Sequence, residues 1–180
     1  MRIDRGDRAP SFSAEGLGGE AVSIEAFRGR RLLLSFFRYA ACPLCNLRTA
    51  FLIDAYPRLR SKGLGIVAIF ESPRTRLLET VAWQPIPFPV IPDPERRLYR
   101  TYGVTPSLLG TVRGAFRVRA LREAFRRGFH IGRADGAATQ LPAEFLIGPD
   151  SVIERAYYGR DIGDHLPIEE IDRWLDGQTV

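Results

Sequence analysis

Leu32-Leu33-Leu34-Ser35-Phe36-Phe37-Arg38-Tyr39-Ala40-Ala41-Cys42-Pro43-Leu44-Cys45 decides how the rest of this chain is read. Its first half, from Arg31 to Phe37, is apolar and of the length of a buried strand. Beyond the cysteines, Leu47, Phe51, Leu52, Tyr56 and Leu59 recur at helical spacing, which predicts a helix from Asn46 to Arg60 that Gly63 ends. Cys42 therefore falls at a strand-to-helix junction. Pro43 takes the first helical position, where a missing N–H is no loss. Unpaired N–H groups and the helix dipole at such a junction favour an anion, so a thiolate on Cys42 is expected. A free cysteine titrates near ~8.5, and a site of this kind can lower that to roughly 3.5–7.5. Cys45 lies one helical turn on, on the same face, where it can close a disulfide with Cys42. No other cysteine occurs in the chain.

Outward from this stretch, strands and helices alternate. Ala21-Val22-Ser23-Ile24 reads as a short strand, Gly65 to Phe70 as a buried one, residues 73–83 as a helix, and Glu95 to Tyr102 as another closed by Gly103. The proline-rich run from Pro85 to Pro92 leaves room for a short edge strand at most. Residues 143–147 and 152–158 read as two strands joined by a Gly148-Pro149-Asp150 turn. Ile168, Ile171, Trp174 and Leu175 mark a last helix from about Pro167 to Leu175. This order predicts one α/β domain over residues 1–180, with a mixed central β-sheet flanked by helices. Between about 105 and 140 an inserted helix is expected. Leu108, Leu109, Val112, Phe116, Leu121, Phe125 and Phe129 form its apolar face and pack on the sheet, while Arg113, Arg117, Arg122 and Arg126 stand in water. A dimer contact, a lid on the active site and a membrane-surface helix are the other readings of this stretch.

Composition narrows the function classes. The net charge is +5, yet Lys62 is the sole lysine and the arginines are spread along the chain, a pattern of solvated faces rather than of a nucleic-acid surface. No run approaches the ~18 apolar residues of a membrane span, so no membrane partner is expected. Met1-Arg2-Ile3-Asp4-Arg5-Gly6-Asp7 has no apolar core of a secretory signal, which predicts a cytoplasmic protein. In a reducing cytosol a lone Cys-x-x-Cys points to redox or metal chemistry, not to a structural staple.

Several motifs together resemble the thioredoxin superfamily, and within it the AhpC/TSA, peroxiredoxin-like branch. These are Gly6-Asp7-Arg8-Ala9-Pro10-Ser11-Phe12, Val22-Ser23-Ile24-Glu25-Ala26-Phe27-Arg28-Gly29, the strand running into Cys42-Pro43-Leu44-Cys45, Pro92-Asp93-Pro94 followed by Tyr102-Gly103-Val104, and Leu141-Pro142-Ala143-Glu144-Phe145-Leu146-Ile147. The likeness extends to the late segment Gly159 to Pro167 and covers nearly the whole chain apart from the insert. It implies a thioredoxin-like fold. It also implies that Pro142 is the superfamily's cis-proline, presenting the Leu141 backbone to a substrate beside Cys42. Two positions depart from the peroxiredoxin pattern: Ser35 stands where those enzymes carry a proline, and Tyr39 where they carry threonine or serine. The hydroxyl there and an arginine orient the peroxide in peroxiredoxins, so efficient peroxidase activity is in doubt. Arg38 either supplies positive charge to the thiolate or faces solvent.

The expected function is a thiol–disulfide oxidoreductase in which Cys42 attacks and Cys45 resolves. Pro43 sets loop geometry and redox poise, no bound cofactor is needed, and no metal is assigned. Thioredoxin, glutaredoxin or a small thiol would restore the dithiol, the substrate would be a disulfide or a peroxide, and a homodimer is open. A thiol-dependent peroxidase is the first alternative. A structural zinc site is another, although only His130 and His165 could join the two cysteines. His165, beside Asp164, could instead move a proton or cap the final helix. A non-catalytic module of the same fold is the third.

Overall fold

The computed structural model describes residues 2–114 and 116–178. In chain order the elements are β1 (Ser13–Glu15), β2 (Ala21–Ser23), β3 (Arg31–Phe36), α1 (Pro43–Ser61), β4 (Leu64–Phe70), α2 (Arg74–Thr80), β5 (Val90–Pro92), α3 (Arg97–Thr101), α4 (Leu108–Gly114), α5 (Val118–Arg126), β6 (Ala143–Ile147), β7 (Ile153–Tyr158) and α6 (Ile168–Leu175). β1 and β2 form a small antiparallel pair of their own. The other five strands make one mixed sheet in the order β5-β4-β3-β6-β7, with β3 parallel to β4 and antiparallel to β6. β5 is the short edge strand that the proline-rich run allows, since Pro92 has no N–H to give to a further neighbour.

β3 is apolar throughout because both its faces are covered. Leu32, Leu34 and Phe36 join Phe12, Tyr99 and Tyr102 on one side; Leu33 and Phe37 join Leu52, Leu59, Ile171 and Trp174 on the other. α1 is buried on two sides as well. Leu52 and Leu59 face the sheet, while Leu47 and Ala50 meet Ala124 of α5 and the following Phe129. The central strand thus ends, and the long helix begins, deep within the molecule. Among the described residues no helix is long and apolar enough to cross a membrane.

The insert corrects the sequence reading. It is two short helices, not one, and the apolar face of α4 points outward: Leu108, Leu109, Val112 and Phe116 are exposed, while Gly110 and Gly114 are buried. α4 lies so close to the body that a Cβ on Gly110 would sit 2.9 Å from the Arg160 carbonyl oxygen. One on Gly114 would sit 2.0 Å from Ile162 Cγ1. Hydrophobic periodicity gives glycine no weight, yet here close backbone approach selects the buried face. Arg117 is only partly in water. It forms a fork with Asp161 (2.6 and 3.0 Å) and reaches Asp164 at 3.0 Å.

Candidate active site

Where β3 stops, the chain keeps pairing for two more residues: the Phe37 N–H donates to the Ile69 carbonyl and the Glu71 N–H to the Arg38 carbonyl. It then turns sharply. The Ala40 N–H donates to Ser72 Oγ at 2.8 Å, and the Cys42 N–H to the Tyr39 carbonyl at 3.2 Å. Cys42 is the N-cap of α1 with Pro43 at the first helical position, as the sequence predicts; its carbonyl accepts from the Asn46 N–H at 3.0 Å. The Asn46 amide also donates to the Ala40 carbonyl at 2.8 Å, which fixes the loop against the first turn of the helix.

Arg38 turns inward. It is 3% exposed, its Nη1 lies 3.3 Å from Cys42 Sγ, and its guanidinium sits 5.0 Å from the Tyr39 ring. Its Nη2 donates to the Ala138 carbonyl. Burial opposes ionisation of Cys42. A hydrogen bond from the Cys45 thiol, the charge of Arg38, and the backbone N–H groups of Cys45 and Leu44 outweigh it and bring the thiol down to about 6. Burial and the neighbouring Cys42 push Cys45 well above the ordinary thiol range. The two shifts run in opposite directions, so Cys42 is the more acidic sulfur of the pair.

Both sulfurs are covered, Cys42 being 1% exposed and Cys45 0%. Residues 129–139, which follow α5 without helix or strand, lie over the cysteine loop. The Gly132 N–H donates to the Ala41 carbonyl at 3.3 Å, the Ala137 N–H to Glu71 Oε1 at 2.9 Å, and Arg38 holds Ala138 as described. A Cβ on Gly132 would come within 2.7 Å of Ala41 Cβ, and one on Gly136 within 2.5 Å of the Glu71 carbonyl oxygen. This strap is tied to the same arginine that touches the sulfur.

The expected cis form of Pro142 is not found: no described peptide bond is cis. The Pro142 carbonyl accepts the Gly159 N–H at 2.9 Å and the Leu141 carbonyl accepts Gln140 Nε2 at 3.1 Å. Gly159 crosses close to this corner, where a Cβ would meet Pro142 Cγ at 2.9 Å. His165 does not cap the last helix, whose N-cap is Pro167. It is buried with Nδ1 at 3.3 Å from Glu144 Oε1, and burial lowers its pKa.

The sequence reading missed the cluster that His165 joins. Glu144, at the register position opposite Ser35, accepts the Ser35 hydroxyl at 2.9 Å, a two-pronged Arg48 (3.1 and 3.1 Å) and the Leu166 N–H at 2.7 Å. Burial opposes its charge, but Arg48 and the hydrogen bonds from His165 and Ser35 hold it down at about 2. The signal was present: Glu144 is the one charge in the otherwise apolar strand Ala143–Ile147. Among the described residues no three His, Cys, Asp or Glu side chains gather as a metal ion requires, so the zinc reading finds no ligand set here.

Comparison with known proteins bears on this site. The sequence model of the AhpC/TSA family matches residues 5–156. A Mycobacterium tuberculosis protein that bears a peroxiredoxin name is 29% identical over 102 residues, 57% of this chain and 65% of that one. The chain thus matches less than two thirds of that relative's length. The thiol-disulfide oxidoreductase ResA of Bacillus cereus is 26% identical over 106 residues, 58% of this chain and 61% of its own. Among solved structures, peroxidoxin BcpB of Mycobacterium tuberculosis superposes with a TM-score of 0.72 over 98% of both chains at 13% identity.

Proposed function

This chain belongs to the AhpC/TSA family and has a thioredoxin-like fold, and from that premise we propose that it is a thiol–disulfide oxidoreductase working through Cys42 and Cys45. The observation that carries the reading is the Arg38 guanidinium 3.3 Å from Cys42 Sγ, with Cys42 at the N-cap of α1. The Cys42 thiolate attacks one sulfur of a substrate disulfide, forming a mixed disulfide and releasing the other sulfur as a thiolate. Cys45 then attacks Cys42 Sγ, its proton passes to a released thiolate, and the Cys42–Cys45 disulfide forms as the substrate leaves reduced. Two electrons from a thioredoxin, a glutaredoxin or a small thiol restore the pair; a cytoplasmic setting supplies such reductants. Pro43 keeps the two cysteines one turn apart, Tyr39 lies against Arg38, and substrate reaches Cys42 when the strap of residues 129–139 swings aside.

A second reading has one observation in its favour. Arg38 could also stabilise the oxygen that leaves when the Cys42 thiolate attacks a hydroperoxide. The O–O bond breaks, Cys42 becomes a sulfenic acid, and the leaving oxygen takes a proton to depart as water or an alcohol; Cys45 would then condense the sulfenic acid to the disulfide with loss of water. Against it, Ser35 is committed to Glu144, and Tyr39 offers no threonine or serine hydroxyl. One sample separates the two. The reduced protein is mixed, in single turnover, with hydrogen peroxide or with glutathione disulfide, and closure of the Cys42–Cys45 bond is followed by mass. Fast closure with the disulfide and slow closure with peroxide is expected. The opposite order makes it a peroxidase, and failure of the two sulfurs to join under either oxidant overturns both.

A further inference from the structure

The geometry points to the α4–α5 face as a docking surface for an anionic lipid bilayer. Three observations carry this, and none of them rests on the redox reading.

The first is inverted packing. α4 is seated on the body through Gly110 and Gly114, so its large apolar side chains have no protein to cover them: Leu108 is 77% exposed and Phe116 79%, with Leu109 and Val112 on the same stripe. Phe125 and Ile131, further along the same segment of chain, are exposed apolar side chains as well. A run of this size on one element is far from the scattered single residues of an ordinary surface.

The second is where the charge sits. Residues 107–133 carry seven arginines against the single Glu123, so this segment accounts for the whole positive excess of a chain whose net charge is +5. Arg117 and Arg127 are spent on Asp161, Asp164, Asp54 and Glu123. Arg113, Arg119, Arg122 and Arg133 are exposed and make no ion pair among the described residues. Along the sequence the arginines are spread out, yet seven fall within these 27 residues. Arg113 belongs to α4 itself, Arg119 and Arg122 to α5, and Arg133 follows them in the chain.

The third is shape. The most exposed residues, Leu108 and Phe116, protrude rather than line a groove. A protein partner would need a matching cavity for them, whereas lipid acyl chains conform to a ridge and headgroup phosphates accept from guanidinium groups beside it. A second copy of this chain is disfavoured, because two such faces would bring like charges together. The expectation of no membrane partner followed from the lack of a spanning segment, which an interfacial contact does not need.

The test is co-sedimentation of the full chain with vesicles of phosphatidylglycerol and phosphatidylcholine, and with vesicles of phosphatidylcholine alone. Binding is expected only to the anionic vesicles and is expected to weaken as salt rises to ~1 M. Leu108→Asp with Phe116→Asp should lower it by roughly tenfold or more, since both side chains are already in water in the free protein and their loss costs mainly the bound state. An unchanged circular dichroism spectrum and an unchanged Cys42 alkylation rate would certify that variant as folded. No sedimentation above the vesicle-free control, equal binding to neutral vesicles, or binding indifferent to the double substitution would each overturn the proposal. So would retention on immobilised polyglutamate that is lost in the double variant while vesicles bind nothing, which would assign the face to an acidic protein instead.

Discussion

Two arginines ten residues apart are both buried and live under different rules. Arg48, 6% exposed, is spent on a carboxylate: both prongs reach Glu144, whose remaining capacity is filled by Ser35, His165 and the Leu166 N–H. Arg38, 3% exposed, has for partners a sulfur and one backbone carbonyl, and its Nε finds none among the described residues. A carboxylate held at about 2 stays charged at any working pH. A thiolate does not, because it is lost to protons near 6 and to disulfide formation. The first pair is permanent and fixes how β3, β6, α1 and the segment before α6 meet. The second is conditional, and chemistry needs a charge that can come and go.

The largest effect should come from breaking the permanent pair. Glu144→Gln leaves the Arg48 charge buried without a counter-ion, a change that typically costs about 3–5 kcal/mol. Urea unfolding should show this as a lower midpoint at unchanged slope. The sign of the pH dependence follows from the depressed carboxyl pKa. Its stabilisation is complete above the unfolded carboxylate value of ~4.3 and is lost as pH falls through about 2. His165 is kept neutral by burial, so it adds a separate loss as pH drops below its unfolded value of ~6.5. If the variant unfolds at the wild-type midpoint, the cluster does not hold these elements together.

Breaking the conditional pair should change reactivity far more than stability. Arg38→Met removes the positive charge beside Cys42 and should move the midpoint of pH-dependent alkylation from about 6 toward ~8.5, cutting the thiolate population at neutral pH by roughly 10–30-fold. The pH dependence of stability offers an independent check. Cys42 has a depressed native pKa, so its thiolate stabilises the reduced protein above ~8.5, and this contribution is lost as pH falls through about 6. The stability gap between the reduced protein and a Cys42→Ser variant should therefore widen from pH 6 to pH 8.5. A flat gap would mean that Arg38 does not sustain a thiolate.

These two regions were unequally visible in the sequence. The Cys42-Pro43-Leu44-Cys45 loop was legible because apolar run, proline and helical spacing are local signals, and β3, α1, β4 and the final hairpin followed from the same rules. The Glu144 cluster joins residues 96 positions apart, and no period in one segment reports a partner in another. The direction of Arg38 stayed open for a related reason, since a loop side chain has no periodicity to fix its facing. In α4 the period was readable but misled: apolar spacing named a face, and Gly110 and Gly114 decided which face went inward.

Ser35→Ala gives the smallest expected effect and the finest test of the contrast. Ser35 occupies β3 at the register position opposite Glu144, on the same side of the sheet as Leu33 and Phe37, and its hydroxyl is one of several donors to that carboxylate. Its removal takes one hydrogen bond from a charged acceptor that keeps the Arg48 fork, so a loss of about 1–2 kcal/mol is expected, below that of Glu144→Gln. Ser35 also stands seven residues before Cys42, where peroxiredoxins carry a proline. If it served the sulfur, Ser35→Ala would shift the Cys42 alkylation midpoint as Arg38→Met does. If it serves the carboxylate, the midpoint stays near 6 while urea stability falls, and in the Glu144→Gln background it costs less than alone, because the amide oxygen that still accepts from it there carries no charge.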